Sequence, residues 1–123
     1  MSTKIIKINR GDSFKYIINV EKKSGAEKYS LDVDEAVYFA LMYPNQPFEE
    51  AIWIKGYTHA DLDQNTGKII VSIEPNDTRF LAPGIYYYTV KLQRGENLEV
   101  INSIEGPKES KTLVERTKFI INE

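Results

Sequence analysis

The feature that most constrains this chain is a period-two alternation of apolar and polar residues, repeated in short runs. Successive side chains of a strand point to opposite faces, so such a run buries one face and wets the other. In residues 13–21, Phe14, Tyr16, Ile18 and Val20 share a face, opposite Lys15, Ile17, Asn19 and Glu21. Residues 68–74 align Ile69, Val71 and Ile73, and residues 85–93 align Tyr86, Tyr88, Val90 and Leu92. Residues 35–43 align Val37, Phe39, Leu41 and Tyr43; Ala36, Ala40 and Met42 would suit a helix, but alternation and aromatic content favour a strand. Segments 4–9, 50–57, 98–104 and 112–122 complete the set, with Ile52 and Ile54 expected to face the core.

Turn chemistry separates these runs. Arg10-Gly11-Asp12, the polar stretch 22–30, the loop 58–67, Arg94-Gly95-Glu96-Asn97 and Gly106-Pro107 all read as turns or loops. Pro44 and Pro47 end the third strand, because proline donates no ladder hydrogen bond. One short helical turn is expected near 76–81, capped by Asn76 or Asp77 and ended by Pro83-Gly84. Seven or eight short antiparallel strands predict an all-β sandwich or barrel. Tyr86 follows Gly84 by two residues at the start of a strand, where a tyrosine corner would bond back to upstream backbone; Ala82 stands where aspartate is often found. That feature favours an immunoglobulin-like β-sandwich, one domain over residues 1–123.

A chain of 123 residues can bury a core without metal or disulfide, and it has no cysteine to make either a disulfide or a thiolate site. No apolar run is long enough to cross a membrane as a helix, and Met1-Ser2-Thr3-Lys4 lacks a signal-peptide core. The net charge of −2 argues against a nucleic-acid partner. The charge is unevenly spread: residues 1–30 hold seven basic and three acidic groups, residues 31–90 three and nine. This is either ordinary solvated surface or a complementary pair of surfaces that orients head-to-tail or ring assembly.

Candidate chemistry is sparse. His59 is the single histidine; Ser72 or Ser103 would have to meet it in space to form a triad, and no G-x-S-x-G elbow is present. Asp61, Asp63 and Asn65 before Gly67 echo a calcium loop, but the glycine is one residue late and Ser72 stands where a bidentate glutamate belongs. The alternative is an Asx-rich turn. Glu49 and Glu50 are neighbours, so on a strand they point apart. Arg10-Gly11-Asp12 spells an integrin-ligand tripeptide, and a turn explains it equally. The expectation is a protein that is not an enzyme, with no catalytic residue, metal or cofactor.

The aromatic residues carry more. With the aligned sets inward, Tyr38, Met42, Trp53, Ile85 and Tyr87 fall on the opposite faces of strands that would be neighbours in one sheet. Their outer face is then an apolar patch of the kind that meets a partner protein, or an ordinary paired surface, or one covered by a loop such as 22–30. On this expectation Trp53 and Tyr87 are replaceable without loss of the fold. Trp53, Tyr38 and Tyr87 are also the residues that would stack on sugar rings in a carbohydrate- or surface-binding module.

A series of motifs resembles the small immunoglobulin-like domains of tailed-phage and prophage structural proteins. They are the R-G-D-[ST]-F turn at Arg10 to Phe14, V-Y-F at Val37 to Phe39, D-x-x-T-G-K-I at Asp63 to Ile69, D-T-x-x-L-x-x-G-x-Y-Y-Y-x-V-x-L at Asp77 to Leu92, and a closing strand from Thr112 to Ile121. The N-terminal domains of phage baseplate upper proteins are similar in this way. The resemblance implies a virion part made in a bacterial host's cytoplasm. It works by packing against other virion proteins or copies of itself, as a homo-oligomer in the second case, with no nucleic acid or membrane as partner. Because the chain ends with the domain, a connector, head-decoration or tail accessory role is expected.

Overall fold

The computed structural model describes residues 4–94 and 109–123. Within them run seven strands: β1 Ile6–Asn9, β2 Phe14–Asn19, β3 Glu35–Met42, β4 Trp53–Tyr57, β5 Lys68–Ile73, β6 Gly84–Arg94 and β7 Glu109–Asn122. The strand expected at 98–104 and the turns at 95–97 and Gly106-Pro107 lie outside the described residues. Five strands form one mixed sheet in the order β1-β7-β6-β3-β4, and β2 pairs with β5 in a second sheet. The protein is therefore all-β, as the alternation predicted.

The expectation of antiparallel strands throughout is corrected at one pairing. β1 runs parallel to β7, with Ile6 beside Phe119 and Asn9 beside Asn122. The cause is the turn after β1. Gly11 has a φ of 82°, a region open to glycine and costly for other residues, and its N–H donates to Thr78 Oγ1 at 2.9 Å. The chain so leaves one sheet for the other instead of closing a hairpin. β1 is left to pair with the last strand, while β2 takes β5 in antiparallel register, Phe14 opposite Ile73.

The two sheets share one core. Ile6 and Ile8, Val37, Phe39 and Leu41, Tyr86, Tyr88 and Val90, and Phe119 and Ile121 meet Ile18, Ile69, Val71 and Ile73 from the second sheet. At its centre the Phe39 ring lies between Tyr88, at 5.2 Å and 14°, and Trp53, at 5.9 Å and 19°. Tyr16 packs onto both Phe39 and Tyr88 at 5.5 Å. Burial raises the Tyr88 pKa, and its hydroxyl is satisfied by the Lys4 carbonyl oxygen. The Tyr86 hydroxyl donates to the Ala82 carbonyl oxygen at 2.6 Å, which is the backward bond expected of that tyrosine.

The helical turn spans Pro75–Thr78, and its cap is Glu74 rather than Asn76 or Asp77. Proline is pre-organised for the first helical position, so Pro75 opens the turn and the cap falls on Glu74, two residues before Asn76. Asp77 becomes the third helical residue, and its Oδ2 accepts from the Glu74 N–H at 2.7 Å. In segment 50–57 Ile52, ahead of the strand, packs against the core as expected, but within β4 the inward and outward sets are reversed. Leu41 opposes Trp53 and Ala40 opposes Ile54, so Trp53 shares the core face and Ile54 the outer face. The indole gains the Phe39 stack and a bond from its N–H to the Asp77 carbonyl oxygen at 3.1 Å. Ile54 finds a smaller apolar site beside Ala40.

Candidate functional site

The five residues expected on one outer face divide three ways. Trp53 is on the core side and is no part of an outer patch. Tyr38 and Met42 are on the outer face but only 4% and 1% exposed. Ile85 remains outward and 50% exposed, and Tyr87 stays outward beneath the Arg116 guanidinium, 5.2 Å from its ring.

Tyr38 and Met42 are buried because the connection from β3 to β4 folds back over them. It makes a 3-10 turn at Phe48–Glu50 and sets Phe48 against Ala36, Tyr38, Ala40 and Met42, with Ala51 and Ile54 alongside. β3 is therefore buried on both faces over its whole length. The cover is loop 43–52, not 22–30. Two cations hold it. The Lys91 ammonium lies 4.7 Å from the Phe48 ring centre. Arg116 of β7 donates to the carbonyl oxygens of Gln46 at 2.6 Å and of Tyr43 and Pro44 at 2.7 Å. Burial raises the Tyr38 pKa, so its phenol stays neutral at ordinary pH.

Among the described residues, no loop packs over the β1 and β7 side of this sheet as 43–52 does over β3. Ile85 sits beside Ile120, Ile120 beside Lys7, and Tyr87 beside Lys118. Ile5, one residue before β1, is 51% exposed and continues the outward alternation of Lys7. The result is a strip of Ile5, Ile85, Ile120 and Tyr87 crossed by two exposed lysines. Alternation alone marks Ile5 and Ile120 as outward, since Ile6, Phe119 and Ile121 point in. What sequence reading missed is the β1–β7 pairing that brings them together.

β4 and the loop that leads to β5 carry a mixed set of charged and phenolic side chains. Lys55 pairs with Asp77 at 2.9 Å. The Tyr57 pKa is raised chiefly by burial, opposed by a hydrogen bond with Ser72 backbone. The loop after β4 uses its carboxylates structurally. Asp61 Oδ2 accepts from the Thr58 N–H and Asp63 Oδ1 from the Asn65 N–H, each at 2.9 Å. These are the capping and Asx-turn bonds of the alternative to a calcium loop, and among the described residues no group of three ligating side chains forms. His59 is exposed at the start of a 3-10 turn, while Ser103 lies outside the described residues. Arg10-Gly11-Asp12 is a turn, the Asp12 N–H donating to the Asn9 carbonyl oxygen at 3.0 Å.

One charged cluster had no sequence signal. Glu35, buried at the start of β3, accepts from Lys23 Nζ at 2.9 Å and the Asp32 N–H at 2.8 Å. Arg94 reaches Asp32 at 2.9 Å and Glu35 at 3.4 Å. The cluster ties the long 20–34 loop to the start of β3 and the end of β6.

No protein-family model, curated protein or solved structure matches this chain.

Proposed function

We propose that this protein is a structural component of a phage or prophage particle, an immunoglobulin-like sandwich that acts by packing against other particle proteins or its own copies. The observation that carries the reading is the outer-face strip in which Ile5 and Ile85 are half exposed and Ile120 and Tyr87 partly buried beside them. Clustered exposed apolar side chains on a sheet are a partner surface in the making. The sheet order supports the fold assignment. A five-stranded layer β1-β7-β6-β3-β4 against a β2-β5 pair follows the order of variable-type immunoglobulin sheets, with β2 and β5 in the B and E places and β3, β6 and β7 in the C, F and G places. The Tyr86-to-Ala82 bond and the ordered motifs from Arg10 to Ile121 point the same way. A sugar-stacking platform of Trp53, Tyr38 and Tyr87 finds no support, since Trp53 and Tyr38 occupy opposite faces of the sheet.

The test is mass spectrometry of particles purified after inducing lysis in the source strain. The expected result is this chain at a copy number comparable with the tail or head proteins. Its confinement to the soluble lysate, with particles present, sinks the proposal.

A further inference from the structure

The five-stranded sheet ends in two short strands of opposite electrostatic setting. β1 and β4 lie at its two edges, four strand spacings or about 19 Å apart. Beside β1 the outer face carries the exposed Lys7 and Lys118 amid Ile5 and Ile120. Over β3, the neighbour of β4, the turn Phe48–Glu50 carries the exposed Glu49 and Glu50, with Phe48 buried against the outer face of β3 and Ile54 of β4 alongside. Neither β1 nor β4 has a second strand partner among the described residues. Unpaired edges are templates for strand addition unless something blunts them.

The strand directions make such an addition self-consistent. β1 is parallel to β7, β7 antiparallel to β6, β6 to β3, and β3 to β4. A second copy in the same orientation therefore presents its β4 antiparallel to the first copy's β1. Glu49 and Glu50 of one copy then lie on the outer face across the junction from Lys7 and Lys118 of the other. We propose that this chain assembles head to tail with copies of itself, the β4 edge of one adding to the β1 edge of the next. The contact is heterologous, so repetition gives a ring or a filament. It rests on the assembly reading above and names its partner. Main-chain bonds supply the pairing and the charges set its direction.

The experiment is sedimentation velocity of the full chain over a concentration series at low and high salt, with two charge-reversed variants, K7E/K118E and E49K/E50K. All four positions are exposed, and circular dichroism checks the fold of each variant. The expected result is wild-type association that weakens with salt, a loss of at least about tenfold in affinity in each variant, and restored association when the two variants are mixed. A wild-type chain that stays monomeric to ~0.5 mM, a concentration that would register even weak pairing, overturns the proposal. So does association of either variant alone at wild-type strength. A monomeric chain found in purified particles removes self-assembly and leaves the particle role standing; oligomers with no chain in particles do the reverse.

Discussion

Gly56 lies directly against the Tyr38 ring: a Cβ at Gly56 would stand 2.8 Å from Tyr38 Cε1 and 3.1 Å from Cδ1. The two residues are cross-strand partners on the outer face, and Tyr38 is held under the Phe48 cover. The glycine is there for room. Gly56→Ala should destabilise the protein by about 1–3 kcal/mol, the usual penalty of overpacking a filled site. Urea denaturation checks it. The same change in a Tyr38→Leu background should cost much less, and equal costs in both backgrounds would refute the steric account.

The inward position of Trp53 reverses the outcome expected from an outer patch. Trp53→Ser removes the stack on Phe39 and the bond to the Asp77 carbonyl, and should destabilise by about 3 kcal/mol. Tyr87→Ser, on the outer face, should cost under about 1 kcal/mol. Separate denaturation curves for the two single variants decide the faces. Equal, small effects would return Trp53 to the surface.

Much of the fold was legible because alternation reports burial directly. The inward sets of β2, β5 and β6 are those read from the sequence, and Tyr86 makes its corner bond. Three things were not legible, each for a stated reason. The face of Trp53 depended on where the strand begins, and a one-residue slip exchanges every side chain. The parallel pairing of β1 with β7 is a long-range contact with no local signature. The burial of Tyr38 and Met42 comes from Phe48, whose short run Pro47-Phe48-Glu49 carries no period. Alternation finds an outward side chain; it does not say whether a later loop will cover it.

Glu35 should give the protein an acid-sensitive limb. Burial alone would raise its pKa, but the Asp32 N–H and the Lys23 ammonium outweigh that and hold it below its ordinary 4.5. A carboxyl depressed on folding contributes stability that is present above the unfolded value and lost as pH falls through the folded one. Asp32, also lowered, with Lys23 as the main cause, adds in the same direction. Wild-type stability should therefore fall as pH drops below about 4.5, in keeping with that linkage. Glu35→Gln should be less stable at pH 7 and approach the wild type at pH 3. Parallel curves for the two proteins between pH 3 and 7 would show that Glu35 is not the titrating group.

Arg116 should act as the latch of the outer-face cover. Its guanidinium satisfies three carbonyl oxygens of the loop, those of Tyr43, Pro44 and Gln46, and rests on the Tyr87 ring. A lysine has one compact ammonium and cannot span the same fork of acceptors. Arg116→Lys should thus lose most of what Arg116→Ala loses, about 1–3 kcal/mol. Loosening the loop would also uncover Phe48, Tyr38 and Met42, so both variants should bind more of an apolar dye such as ANS in native buffer. The dye separates the latch from a simple loss of stability: Gly67→Ala, at a φ of 71° and against the Tyr29 ring, destabilises the far side of the molecule and should leave native-state dye binding unchanged. Equal dye binding by all three variants would mean that Arg116 does not hold the cover down.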